Sequence, residues 1–220
     1  MPAQGTFSPF SADEGKWSAQ FTRATPDYIQ VASSSDFAFG TGDFTIECWA
    51  YLTGGQNAYG NGLFCATTGV VGPALGQHSD DGWQIYHGTS STDLADTDYP
   101  QDEWVHVAMV RASNVLNVYQ NGVKVTSNIS DSTNYTNTGF NIGWYYGTAY
   151  AWDGYISNFR VVKGTAVYTG AFTPPTEPLT AITNTKLLTC CSNRFRDKST
   201  SAHSLTTSSY PKIKPFSPFK

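Results

Sequence analysis

The sequence predicts an all-β fold, two antiparallel sheets stacked as a jelly-roll sandwich with almost no helix. Three observations predict it. Short runs alternate between apolar and other residues, an Asn-Gly pair divides one of them, and clusters of Gly, Asn, Asp and Ser separate the runs at fairly regular spacing. The composition agrees. Of 220 residues, 15% are aromatic and only 14% are charged, against about 25% charged in an average soluble domain. Thr and Ser are plentiful and helix formers are few.

The elements follow in chain order. Residues 27–32 read as a strand. In 44–52, Phe44, Ile46, Cys48, Ala50 and Leu52 share one face, while Thr45, Glu47, Trp49 and Tyr51 share the other. Period two over this length places one face in the core, and the aromatic content of the second face predicts partial cover there too. Residues 62–67 and 82–87 read as further strands. In 103–111, Val105, Val107 and Met109 face one side and Trp104, His106, Ala108 and Val110 the other, which suits a central strand buried on both faces. Within 115–127, Asn121-Gly122 supplies the two positive-φ residues of a type I′ turn, so this stretch is a hairpin. Strands are also expected over 139–144, 152–162 and 185–190, with at most a short helical turn around Thr165–Tyr168. The Pro-rich stretch 173–178 is a stiff extended strap.

One domain is expected over 1–191, followed by a basic segment, 192–220, as a return strand or tail packed on the same domain. That segment carries Arg194, Arg196, Lys198, Lys212, Lys214 and Lys220 against Asp197 alone, net +5, while the whole chain is −4. A solvated tail and a basic anchor for an acidic partner both fit it. Phe7-Ser8-Pro9-Phe10 recurs as Phe216-Ser217-Pro218-Phe219, which reads as a unit boundary of a tandem array.

Several function classes drop out. Apolar runs are too short to span a membrane, the acidic balance argues against nucleic acid, and the first ten residues lack the pattern of a signal peptide. None of Cys48, Cys65, Cys190 and Cys191 lies in a Cys-x-x-Cys pair, so no zinc site is expected. All four read as reduced, with a Cys48–Cys65 bridge as the alternative. His106 reads as a core or interface histidine and Arg160 as a paired structural cation.

Phe39-Gly40-Thr41-Gly42-Asp43-Phe44-Thr45-Ile46-Glu47-Cys48-Trp49 resembles the opening of laminin-G-like, concanavalin A-like jelly-roll domains. Trp104-Val105-His106-Val107-Ala108, Asn121-Gly122 and Asp153-Gly154-Tyr155-Ile156 through Val161 are similar to that family's later motifs, in family order. Lys163-Gly164-Thr165-Ala166-Val167-Tyr168 with Phe172-Thr173-Pro174-Pro175 resembles the version in tailed, often marine, bacteriophages. The resemblance implies two stacked sheets. Its relatives include lectins, glycan hydrolases, adhesion modules and virion proteins, so function does not follow from the fold.

Glucanases of the superfamily carry a Glu-x-Asp-x-Glu strand that sets two carboxylates about 5 Å apart. Nothing here matches it: Glu47 is the sole acid of its strand, and no Gly-x-Ser-x-Gly or His-Glu-x-x-His motif occurs. No catalytic residue is expected. The run 144–152 holds Trp144, Tyr145, Tyr146, Tyr150 and Trp152, with Asn137, Asn141 and Asp153 nearby. Core packing, a protein interface and stacking on a sugar ring all fit it. No cofactor is required. Ca2+ is the metal the superfamily raises, with Asp80 and Asp81, or Asp93, Asp96, Asp98 and Asp102, as carboxylates that otherwise read as solvated turns.

The expectation is a non-enzymatic virion-surface module of a tailed phage, a head decoration or a fibre adhesin, made in the host cytoplasm. Its partners would be capsid or tail proteins and host-surface polysaccharide, and a homo-oligomer is compatible with the sequence. A free lectin and an atypical glycan hydrolase are the alternatives.

Overall fold

A strand that alternates apolar and polar residues buries one face only against a second layer, and here that layer is another sheet. The computed structural model describes residues 15–25, 27–53, 60–66, 72–77, 82–94, 99–144 and 150–220. Among them lie β1 (Ser18–Phe21), β2 (Tyr28–Val31), β3 (Phe44–Leu52), β4 (Asn61–Cys65), β5 (Ala74–Gln77), β6 (Trp83–His87), β7 (Ser90–Leu94) and β8 (Trp104–Ala112). Then follow β9 (Val115–Gln120), β10 (Val123–Lys124), β11 (Ile129–Ser130), β12 (Phe140–Ile142), β13 (Gly154–Lys163), β14 (Thr185–Thr189), β15 (Leu205–Ser208) and β16 (Lys212–Lys214). One sheet runs β10-β9-β8-β3-β13-β1-β16, with β11 beside β9 and β14 beside β13. The other runs β15-β2-β12-β4-β5-β6-β7. All the strand pairings in both sheets are antiparallel.

The core lies between the sheets. Phe44, Ile46, Cys48, Ala50 and Leu52 of β3 are fully buried there, together with Ile29, Phe64, Leu75, Ile85 and Phe140 from the facing sheet. Each large aliphatic or aromatic side chain so buried contributes about 1.5–3 kcal/mol. The hairpin turn has φ of 48° at Asn121 and 77° at Gly122, as a type I′ turn requires. Gly122 is needed for a second reason: the Phe172 N–H donates to its carbonyl at 3.0 Å, and an added Cβ would collide with the Phe172 carbonyl.

The structure departs from expectation at the weak elements. Residues 165–168 are not helical, because the Thr165 carbonyl and the Val167 N–H are both taken by the Thr45 hydroxyl, at 3.0 and 2.9 Å. Among the described residues the helical turn is Ser35–Phe37, where the Ser34 hydroxyl caps the Asp36 N–H. β1, β5, β7, β15 and β16 are short strands that the alternation does not single out. Asp93 lies in edge strand β7 and accepts from the Gln84 amide at 2.8 Å, so it is a strand residue and not part of a turn. The four cysteines are free; Cys48 faces the core, while Cys65 packs with Ala74 in a separate cluster. Within 192–220, β15 pairs with β2 and β16 pairs with β1, one edge strand for each sheet.

Arg111 is a fully buried cation at the end of β8. Its guanidinium donates to the carbonyls of Gly42, Gly40 and Thr133 at 2.9, 2.7 and 2.9 Å, and to Asp131 at 3.3 Å. It also sits 5.0 Å from the Phe44 ring centroid and 4.8 Å from that of Tyr135. This one side chain fastens the 39–43 turn to the 131–135 loop. Arg111→Met leaves the buried Asp131 charge without its cation and takes the guanidinium donor from the Gly42, Gly40 and Thr133 carbonyls. It should lower the unfolding free energy by about 3–5 kcal/mol, read as a fall in the urea midpoint at unchanged slope.

Candidate functional site

Two polar constellations stand out, on opposite sides of the sandwich. The first is centred on Glu47, which points out of the nine-stranded sheet and is nonetheless fully buried. Its Oε1 accepts from Arg160 Nε at 2.9 Å and Nη2 at 2.6 Å. Its Oε2 accepts from the Tyr168 hydroxyl at 2.8 Å and meets His106 Nε2 at 3.1 Å. The register explains the convergence, since β3 pairs Glu47 with Arg160 of β13 and lies beside β8, which carries His106. The residues after β13 then cross this face. Tyr168 and Phe172 stack with centroids 3.6 Å apart and pack on Ala108, Val110 and Tyr119.

Burial alone would raise the Glu47 pKa, but the His106 contact and the Arg160 charge outweigh it and hold the carboxyl below its ordinary value. Burial, and after it the Glu47 charge, push the Tyr168 hydroxyl well above its usual range. Both Glu47 oxygens are saturated by fixed donors and covered. A glycosidase pair needs an accessible nucleophile and a second carboxyl to protonate the leaving group, and this carboxylate provides neither. Arg160 is thus a paired cation, which also donates to the Thr180 carbonyl at 2.8 Å. His106 is a core histidine whose Nδ1 has no partner.

The second constellation covers the outward face of the seven-stranded sheet. Because Ile29, Val31, Phe140 and Ile142 point into the core, their neighbours Tyr28, Gln30 and Asn141 point out. Register then sets one cross-strand row: Thr206, Gln30, Asn141, Cys65, Ala74 and Tyr86. The two ends of the 144–152 run are tied to β4 and to the end of β12 beside this row. The Trp152 N–H donates to the Gly143 carbonyl at 2.9 Å, and the Gly62 N–H donates to the Tyr150 carbonyl at 2.9 Å.

The run does not act as one patch. Trp144 is half-buried and stacks on Tyr28, with ring centroids 5.2 Å apart and planes at 24°. Tyr150 is half-buried and packs on Cys65 and Ala74. Trp152 is fully buried, donates to the Tyr51 carbonyl at 3.3 Å and meets the Tyr99 ring edge-on, so its ring belongs to the core. Tyr145 and Tyr146 lie outside the described residues, as do Asp80, Asp81, Asp96 and Asp98. Asn141 is 2% exposed, and among the described residues its side-chain oxygen has no hydrogen-bond partner. Asn137 precedes the far end of β12 and is not brought to Trp144. Among the described residues no three His, Cys, Asp or Glu side chains converge as metal ligands.

Beside this face the structure adds groups that sequence reasoning passed over. Arg23 donates to the Asn61 oxygen at 2.9 Å and lies 3.9 Å from Asp153, and Asn61 donates to Gln77 at 2.6 Å. Among the described residues the buried Gln77 amide nitrogen has no partner. One residue before Tyr28, Asp27 accepts the Tyr210 N–H at 3.0 Å. Tyr210 is 86% exposed and borders a cavity of about 390 Å³ lined by Gln20, Thr22, Thr25, Asp27 and Lys212. Alternation within 27–32 and 82–87 could have marked Tyr28 and Tyr86 as outward aromatics. No local signal marks Tyr210.

A laminin G-type family model described as the concanavalin A-like lectin/glucanases superfamily matches residues 23–167. No curated protein sequence matches the chain. Among solved structures, a Bacteroides ovatus protein described as carbohydrate-binding aligns at 17% identity and TM-score 0.67, over 92% of this chain and 60% of that one. This chain therefore spans well under two thirds of that protein. The heptameric SAP-like pentraxin of Limulus polyphemus aligns at 12% identity and TM-score 0.53, over 90% of this chain and 97% of that one. At these identities the likeness is one of fold.

The Glu47 cluster sets a pH dependence. Folding lowers the Glu47 pKa, so its stabilisation is complete above the ordinary value of 4.5 and is lost as the pH falls through the lower folded value. Urea unfolding between about pH 5 and about pH 3 should show steadily falling stability. Glu47→Gln should be less stable at neutral pH and should show a shallower fall over the same range.

Proposed function

The chain belongs to the concanavalin A-like lectin/glucanase superfamily, and from that membership we propose that it is a non-enzymatic carbohydrate-binding module. The observation that carries this reading is the Trp144–Tyr28 stack, half-exposed beside outward-facing Gln30 and Asn141. An aromatic face packs against the apolar C–H face of a pyranose, while amide and hydroxyl groups beside it bond the ring hydroxyls. The oxygen of Asn141, unpartnered among the described residues, suits that role, because a buried polar atom left unpaired costs about 1–3 kcal/mol. The fold shared with the Bacteroides ovatus protein described as carbohydrate-binding supports the same reading. The saturated Glu47 supports the absence of catalysis.

The setting we propose is the virion surface of a tailed phage, as a head decoration or fibre adhesin held by capsid or tail proteins. The likeness of the 163–175 segment to phage structural domains supports this, and that segment is the cover over Glu47. The ligand is then host-surface polysaccharide. Ring stacking and neutral amides need no metal ion.

Titration of the full chain with a polysaccharide panel, followed by tryptophan fluorescence, tests the reading. We expect saturable binding to at least one glycan, weakened roughly tenfold or more by Trp144→Ala. Chelation of divalent cations should leave the affinity unchanged; loss on chelation would bring Asp80 and Asp81 into the site. Folded protein that binds no glycan would make the Trp144 face a protein interface.

A further inference from the structure

The outward face of the nine-stranded sheet carries an aromatic groove that is filled by the chain itself. The Phe216 ring sits among Tyr51, Trp104 and Tyr155, with centroids 5.0, 5.1 and 4.8 Å away. Phe219 meets Trp49 edge-on at 5.9 Å. Between them the Ser217 hydroxyl accepts the Phe219 N–H at 3.1 Å and donates to the Gly15 carbonyl at 3.4 Å. Pro218 fixes φ inside this turn. Each residue of the Phe-Ser-Pro-Phe segment thus contributes something different. The two rings insert, the hydroxyl closes the turn, and the proline stiffens it. Space remains beside it, about 310 Å³ lined by Lys16, Trp17, Pro215, Phe216, Ser217 and Phe219.

The same four residues occur once more, as Phe7-Ser8-Pro9-Phe10. Gly15, whose carbonyl takes the Ser217 hydroxyl, is only five residues after Phe10, a span of at most about 17 Å. A groove shaped for this motif therefore has two copies of it within one chain. We propose that the groove is a receptor for Phe-Ser-Pro-Phe and that residues 7–10 are its second occupant, competing with 216–219. Because each groove takes one anchor, residues 7–10 of one copy enter the groove of a second copy by displacing its 216–219, and that exchange joins copies end to end.

A double-mutant cycle on the full chain tests this. Phe7→Ala/Phe10→Ala should leave the urea midpoint unchanged, because 216–219 still fill the groove. Phe216→Ala/Phe219→Ala should cost little, because residues 7–10 take their place. The fourfold variant should lose more than the sum of the two, and a fourfold variant that fails to fold beside twofold variants that fold is the extreme of the same result. A labelled peptide of residues 5–12 should bind a folded fourfold variant roughly tenfold or more tighter than wild type, and should lose binding when its two Phe are replaced by Ala. Additive losses, a peptide that binds no tighter, or a Phe216→Ala/Phe219→Ala chain that does not fold would each overturn the proposal.

Discussion

A carboxylate buried at the middle of a sheet needs its charge met on the spot, and the Glu47 carboxylate imposes that condition on the whole molecule. Removing one partner of such a buried ion pair costs about 3–5 kcal/mol. Glu47 takes its donors from β8, β13 and the segment after β13, so the register of three central strands and the path of the crossing segment are tied to one side chain. The cover this requires closes much of the outward face of the nine-stranded sheet, and the Phe216 and Phe219 rings close more of it. The face we propose for recognition is the outward one of the facing sheet. There the outward row joins Thr206, Gln30 and Asn141 to the apolar pair Cys65 and Ala74 and the half-buried Tyr86, with no charged side chain in it.

The parts of this arrangement legible in the sequence are those governed by local periodicity. Phe44 to Leu52 alternates without a break, and Asn121-Gly122 can hardly do anything but turn, so β3, β8, β9 and the hairpin lie where the pattern puts them. A return strand was expected within 192–220, but the places of β15 and β16 were not legible, because a short polar stretch becomes a strand only when an edge is waiting for it. The same distinction holds at the site. Trp144 and Asn141 stand near each other in sequence and on one surface. Trp152, eight residues after Trp144, is drawn into the core by the reversal between them. Tyr28 and Tyr210 enter only through long-range pairing, and the partners of Glu47 lie 59 to 121 residues away along the chain. No spacing rule reaches that far.

The segment 192–220 connects the two sheets through pairing at both edges, β15 on β2 and β16 on β1. Its single acid is a local hub, since Asp197 accepts the N–H groups of Leu188, Ser199 and His203. The order of synthesis gives this arrangement a kinetic side. Among the described strands β1 and β2 come first in the chain, yet each pairs on one side with one of the last two. Until residues 205–214 have paired, the edges on that side of the two sheets are β1 and β2, open to neighbouring chains. Closure over such sequence separations is also slow, because the loop entropy must be overcome before any contact rewards it. Folding of this domain is thus complete only once residues 205–214 have paired, and the interval before that step is when neighbouring copies can pair with the wrong edge.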